Sequence, residues 1–95
     1  MTDLRREVSR GARAKAILED EIVVEALDAI EAELRADWEG SRPGDAAARE
    51  ESYRMLRAAK AFRERLRKVI DDGSVAEAEI EAHERARRRK NGDSE

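Results

Sequence analysis

The chain has 95 residues, of which 45% are charged and 3% are aromatic. This length allows one small domain, and the formal charge of −3 argues against a protein whose whole surface binds nucleic acid. The sequence has no cysteine, which excludes a disulfide framework and thiol chemistry. It contains no long apolar run and no apolar leader, so we expect a soluble, cytoplasmic protein with no membrane partner.

Residues 1–19 form a basic segment with apolar side chains at helical spacing. Gly11 interrupts this pattern and costs a helix about 1 kcal/mol relative to alanine, so we expect the helix to be frayed or broken there. A kink or turn at Glu19–Glu21 would follow, and the sequence equally allows residues 3–39 to run on as one helix. A DNA-binding helix-turn-helix over residues 3–39 is disfavoured, because its second helix would be acidic and would repel phosphates.

Residues 20–73 are predicted to form the core of an all-α fold, an antiparallel helical hairpin. The first arm, at about 20–39, carries apolar residues four and three positions apart, which places them on one helix face. Asp20 is a suitable N-cap residue, because its carboxylate can accept hydrogen bonds from unpaired backbone N–H groups. The arm should end at Gly40, since Pro43 does not permit easy continuation.

The second arm, at about 45–72, should begin at Asp45, another N-cap type. It keeps a seven-residue apolar repeat, which favours coiled-coil-like packing, and should end at Gly73 in a left-handed conformation. Two thin helices cannot bury both sides of such a stripe, so we expect either self-association into a homo-oligomer or packing of the terminal segments onto the hairpin. The residues predicted to form the core and the oligomer contacts are Val23, Leu27, Ile30, Leu34, Trp38, Met55, Phe62 and Leu66.

The first arm is acidic and the second is basic. An antiparallel turn near Pro43 would place Glu21 near Arg63 and Asp28 near Arg57, so the charges could set the register of the two arms. Each exposed ion pair is worth only about 0–1 kcal/mol, so apolar burial would have to hold the arms together. The alternative is that the charges merely solvate two surface helices, and the sequence favours neither interpretation.

Ser74 and Glu77 have the spacing of a capping box, which predicts a short C-terminal helix over residues 74–90. Residues 91–95 are expected to be a disordered tail. Cationic side chains lie near both ends of the chain and could contact nucleic acid or a protein partner, although those near the C-terminus could also serve only solubility and the helix dipole. These candidates are Arg5, Arg6, Arg10, Arg13, Lys15, Arg85, Arg87, Arg88, Arg89 and Lys90.

The residue types needed for catalysis do not form a recognisable set. His83 is the single histidine, with no second metal ligand or catalytic partner type at a suitable spacing. The carboxylates are numerous, but acid–base catalysis needs a sheltered pair, which a thin helical hairpin does not provide. We therefore expect a non-enzyme with no metal and no cofactor.

The order of several segments resembles that of small helical proteins encoded by tailed phages and prophages, in particular the oligomerisation core of small terminase subunits. The segments that carry this resemblance are Arg10–Ala14, Leu18–Ile22, Ala26–Trp38, Arg49–Leu66 and Gly73–Ala76. The chain departs from those proteins in lacking a clear helix-turn-helix before the hairpin. A less specific packaging adaptor, as in gene transfer agents, tolerates that loss.

The resemblance implies a DNA-packaging adaptor. Its hairpin would form a ring, its termini would contact double-stranded DNA weakly, and the part beyond Gly73 would meet the large terminase subunit. The alternative from the residues alone is a regulatory or inhibitor module that binds another protein through the hairpin face. Because one fold serves many functions, the resemblance supplies an expectation that must be tested on the surfaces of the molecule.

Overall fold

A computed structural model describes residues 2–93, and the chain is all helical over that range, with no strand. Three helices lie within it: α1 (Thr2–Glu19), α2 (Glu21–Glu39) and α3 (Ala46–Asp93). The predicted all-α class is confirmed. No helix in the described range is both long and apolar enough to cross a membrane.

The helix α1 is continuous through Gly11, so the predicted break at this glycine is wrong. Gly11 is buried, and a Cβ atom added to it would lie 3.1 Å from the Cα atom of Gly73 in α3. The missing side chain lets the two helix backbones approach closely. Packing at this crossing therefore outweighs the low helix propensity of glycine.

The break that separates α1 from α2 falls at Asp20. This residue is extended, and its carboxylate accepts hydrogen bonds from the backbone N–H groups of Ile22, at 2.9 Å, and Val23, at 3.1 Å. These donors have no partner inside the helix, so the aspartate stabilises the start of α2. The predicted N-cap is confirmed, and residues 3–39 form two helices rather than one.

The segment between α2 and α3 is held by hydrogen bonds at both of its ends. The hydroxyl of Ser41 donates to the carbonyl of Trp38 at 2.7 Å, close to the last turn of α2. The carboxylate of Asp45 accepts from the backbone N–H of Ala48 at 3.0 Å and caps α3, as predicted. Gly40 follows α2 directly, at the predicted end of that helix.

The helix α3 continues through Gly73, so the predicted helix end at this residue is wrong. No glycine in the described residues has a positive φ, and Gly73 is instead buried against Glu7 and Gly11 of α1. Ser74 lies inside the helix and starts no new one. The separate C-terminal helix predicted over residues 74–90 is therefore also wrong.

The far end of α3 reaches beyond its predicted limit. Residues 91–93, assigned by composition to a disordered tail, continue the helix. The other two residues of that predicted tail, 94 and 95, lie outside the described range. Lys90 lies in the last turn of α3, where a cation interacts favourably with the helix dipole and supports this extension.

The chain divides into two compact units, each with a thin core. The first contains the residues up to Ala16 and those from Arg67 onward, and its buried hydrophobic residues are Ala14 and Ala76. The second contains Ile17–Leu66, and its buried hydrophobic residue is Leu34. These are the buried hydrophobic residues of the described range, so most large apolar side chains remain at least partly exposed.

Candidate functional site

The second unit carries an apolar cleft between α2 and the first part of α3. The residues lining this apolar cleft are Leu27, Ile30, Leu34, Met55, Ala58, Ala59 and Phe62. Spacings of three and four residues bring the members from each helix to one side. Every lining side chain is apolar, so the cleft suits an apolar partner surface and offers no group for acid–base chemistry.

The apolar cleft is open to solvent. Leu34 is only 8% exposed, but Ile30, Met55 and Phe62 are 46%, 50% and 49% exposed. Full burial of one such side chain is worth roughly 1.5–3 kcal/mol, so covering the cleft would release a substantial free energy. Contiguous exposed apolar surface of this kind is typical of an interaction site.

The eight residues predicted to form the core and the oligomer contacts divide between the apolar cleft and other places. The five that line the cleft are Leu27, Ile30, Leu34, Met55 and Phe62. Val23 and Leu66 are half-buried outside that lining, and Trp38 is 48% exposed. Ala58 was missed by the sequence reasoning, although its position between Met55 and Phe62 at helical spacing could have indicated it.

An ion-pair cluster joins α2 to α3 in the second unit. Nε of Arg63 donates to Glu31 at 2.9 Å, and Nη2 donates to Asp28 at 2.8 Å. Burial lowers the pKa of Arg63, but its hydrogen bonds to Glu31 and Asp28 outweigh that effect and raise the pKa above the usual arginine value. The predicted pairing of Arg63 with Glu21 is wrong, so α2 and α3 meet in a different register.

We expect Arg63 and Glu31 to be energetically coupled, because both side chains are only 18% exposed. Arg63→Ala leaves the Glu31 carboxylate without this partner in a half-buried position, at a cost of about 1–3 kcal/mol in the free energy of unfolding. A double-mutant cycle with Glu31→Ala, measured by urea denaturation, should give a coupling of about 1–2 kcal/mol. The control is Lys68 with Asp72, whose side chains are 73% and 52% exposed and should couple by less than about 0.5 kcal/mol. Equal coupling in the two cycles would contradict this expectation.

The predicted cationic contact residues of α1 are exposed, but several lie among acids. One cleft of the first unit is lined by Asp3, Arg6, Glu7, Arg10, Val69 and Asp72. Another is lined by Arg5, Val8, Glu77, Ile80, Glu81 and Glu84. Carboxylates outnumber cations in both clefts, so the positive potential there is largely cancelled. Arg13 and Lys15 lie outside both linings.

The predicted contact residues of α3 lie at its far end and are all exposed. We call them the basic helix end: Arg85, Arg87, Arg88, Arg89 and Lys90. Within residues 2–93, none of these side chains has a hydrogen bond or ion pair. This surface therefore differs from Arg5, Arg6 and Arg10 of α1, which share their clefts with carboxylates.

Groups that could support catalysis or bind a metal are not gathered in the part of the chain that the structure describes. His83 is exposed on α3. Residues 2–93 contain no group of three or more histidine, cysteine or acidic side chains close enough to hold a metal ion. That the chain is not an enzyme stays a prediction.

Comparison with protein-family models, curated proteins and solved structures finds no match to this chain. The resemblance to small terminase subunits therefore stays an interpretation of the sequence. The function of the chain therefore has to be inferred from the apolar cleft and the charged surfaces.

Proposed function

We propose that the chain is a non-enzymatic adaptor that assembles with copies of itself through the apolar cleft. The observation that carries this proposal is the exposure of Ile30, Met55 and Phe62, each about half in water on one contiguous surface. With so few buried hydrophobic residues in the described part of the chain, the protein gains little from its own core, and burial against a second chain would supply what is missing.

Charge complementarity supports a second copy as the occupant of the apolar cleft. The exposed acids of α2 include Glu25 and Glu33, while the exposed bases of α3 include Arg54 and Lys60. When one copy lies against another, the acidic helix of the first can face the basic helix of the second. Such charges contribute little affinity, but they favour one orientation over others. In this proposal α2 and the first part of α3 act as the hairpin that assembles.

We extend the proposal to DNA packaging of the phage type. The support is the sequence resemblance to small terminase subunits together with the exposed cations of the basic helix end. An assembled adaptor would hold double-stranded DNA through these cations and pass it to a partner such as the large terminase subunit. The assembly would act by multiplying weak contacts, since linked binding sites raise the overall affinity without any new contact.

The test is the mass of the protein in solution, measured by light scattering coupled to size exclusion. The wild-type chain should elute as an oligomer, and Met55→Lys should shift it to the monomer, because this change puts a like charge on every copy of the interface. Met55 is half exposed, so a lysine there can reach water and the monomer should stay folded.

Val75→Lys is the matched control, because Val75 is 60% exposed on the same helix and lies outside the apolar cleft. It should leave the oligomer mass unchanged. A monomeric wild-type chain would overturn the self-assembly proposal. It would favour the rival reading, in which the cleft takes an amphipathic helix of another protein, as groove-binding regulators do.

A further inference from the structure

Five of the cations in the middle of α3 have hydrogen-bond partners, which those at its far end lack within residues 2–93. Arg49 donates to the carbonyl of Arg42, Arg54 to Glu50, Arg57 to the hydroxyl of Tyr53, Arg63 to Glu31 and Asp28, and Lys68 to Asp72. In the described residues the basic helix end makes no such contact, and all five of its cations are exposed. It is therefore a concentration of five cations within six residues, with no acid among them.

The directions in which these side chains leave the helix are also informative. Successive residues of an α-helix are rotated by about 100°, so the cations at positions 85, 87, 88, 89 and 90 point all round the axis. Viewed along the helix axis, the largest angular gap between adjacent cationic side chains is about 100°. A flat acidic protein surface would meet the cations on one side only. A ligand with negative charge on both sides would meet most of them.

We infer that the basic helix end binds duplex nucleic acid by lying in its major groove. That groove is about 12 Å wide, which matches the 10–12 Å diameter of an α-helix with its side chains. Phosphates line both walls, so cations on opposite sides of the helix find partners together. The helix dipole places about half a negative charge at this end, which is small beside five cations. The contacts are with phosphates, so binding is not selective for sequence.

This assignment divides the cationic residues into two groups with different roles. Those of α1 that line the two clefts of the first unit share them with carboxylates, which would repel phosphates. The basic helix end has no acid along its run from Arg85 to Lys90. The inference rests on the proposed adaptor function and deepens it, because it names which surface holds the nucleic acid.

The experiment is a fluorescence anisotropy titration of the full chain with a labelled duplex of about 30 base pairs, at about 50 to 200 mM salt. The test variant is the triple Arg87→Gln, Arg88→Gln and Arg89→Gln, and glutamine keeps the helix propensity high. Its affinity should fall at least about tenfold, and the slope of log affinity against log salt should become shallower by about 3. The matched triple Arg5→Gln, Arg6→Gln and Arg10→Gln removes the same charge and should lose less than about threefold.

Equal losses of duplex affinity in the two triple variants would overturn the inference, because binding would then depend only on the net charge of the chain. Absence of duplex binding by the wild-type chain at low salt would overturn it as well. The inference would also fail if the wild-type chain bound poly-glutamate as strongly as the duplex at matched charge concentration. Met55→Lys protein is titrated in parallel. A salt slope per chain equal to that of the wild type shows that the basic helix end binds without assembly. If the wild-type chain is itself monomeric and the two triples still differ, the assignment holds although the assembly proposal fails.

Discussion

Gly73→Val should lower the free energy of unfolding by about 3 kcal/mol, one of the largest effects expected from any single substitution in this chain. A Cβ atom at Gly73 would lie 3.0 Å from the carbonyl oxygen of Glu7 and 3.0 Å from the Cα atom of Gly11. Both are backbone atoms of a helix, so neither can rotate away as a flexible side chain would. The two helices must separate, and the packing of Ala14 and Ala76 in the first unit is lost with them.

Gly73→Ala is a sharper test than Gly73→Val, because two opposing effects decide whether alanine raises or lowers the free energy of unfolding. In a free helix, replacing glycine by alanine stabilises by about 1 kcal/mol. At Gly92, where a Cβ atom meets nothing within 4 Å, that gain should be visible, reduced by fraying at the end of α3. At Gly73 the same change should destabilise by about 1–2 kcal/mol, since the steric cost exceeds the gain.

Urea denaturation followed by circular dichroism at one protein concentration measures both variants. Opposite signs for Gly73→Ala and Gly92→Ala would establish the close crossing of α1 and α3 in the first unit. If Gly73→Ala stabilised the protein as much as Gly92→Ala does, the crossing would have to be looser than the structure describes.

The same two glycines explain where sequence reasoning failed. Asp20 and Asp45 act within three residues of their own positions, so their capping role could be predicted from local sequence alone. Gly11 and Gly73 look like breaks by the same local reasoning. Their role depends on one another across the sequence, and no local pattern distinguishes a glycine that ends a helix from one that lets two helices touch.

The register of α2 against α3 was also beyond local reasoning. The acids of α2 recur every few residues, so several alignments give Arg63 a carboxylate partner at similar energy. Exposed pairs are too weak to choose among these alignments, and apolar packing makes the choice. Arg63 pairs with Asp28 and Glu31, which lie about two to three turns further along α2 than the predicted Glu21.

Most of the residues that line the apolar cleft could be predicted from the sequence, but their exposure to solvent could not. The seven-residue repeat and the apolar face of α2 identified most of the lining of the apolar cleft. A repeat shows which side chains share a helix face, but it does not show whether a neighbour covers that face. That Phe62 is half exposed while Leu34 is buried depends on the angle and depth of packing, which only coordinates supply.

Leu34→Ala should cost about 2–5 kcal/mol, because Leu34 is 8% exposed and is the buried hydrophobic residue of the second unit in the described range. The removed side chain lies in the apolar cleft. The loss should appear in urea denaturation at every protein concentration, since it concerns packing within one chain. Ile22→Ala on the same helix is the control, and with Ile22 70% exposed it should cost less than about 0.5 kcal/mol.

Phe62→Ala separates folding from assembly in the same measurement. Phe62 is 49% exposed within one chain, so in the monomer its truncation should cost less than Leu34→Ala does. If a second copy covers the apolar cleft, the cost should grow with protein concentration, because assembly stabilises the wild-type chain by mass action and the variant loses that contribution. A cost that is the same at low and high concentration would mean that no second copy rests on Phe62, and the cleft would then have to be covered by another protein.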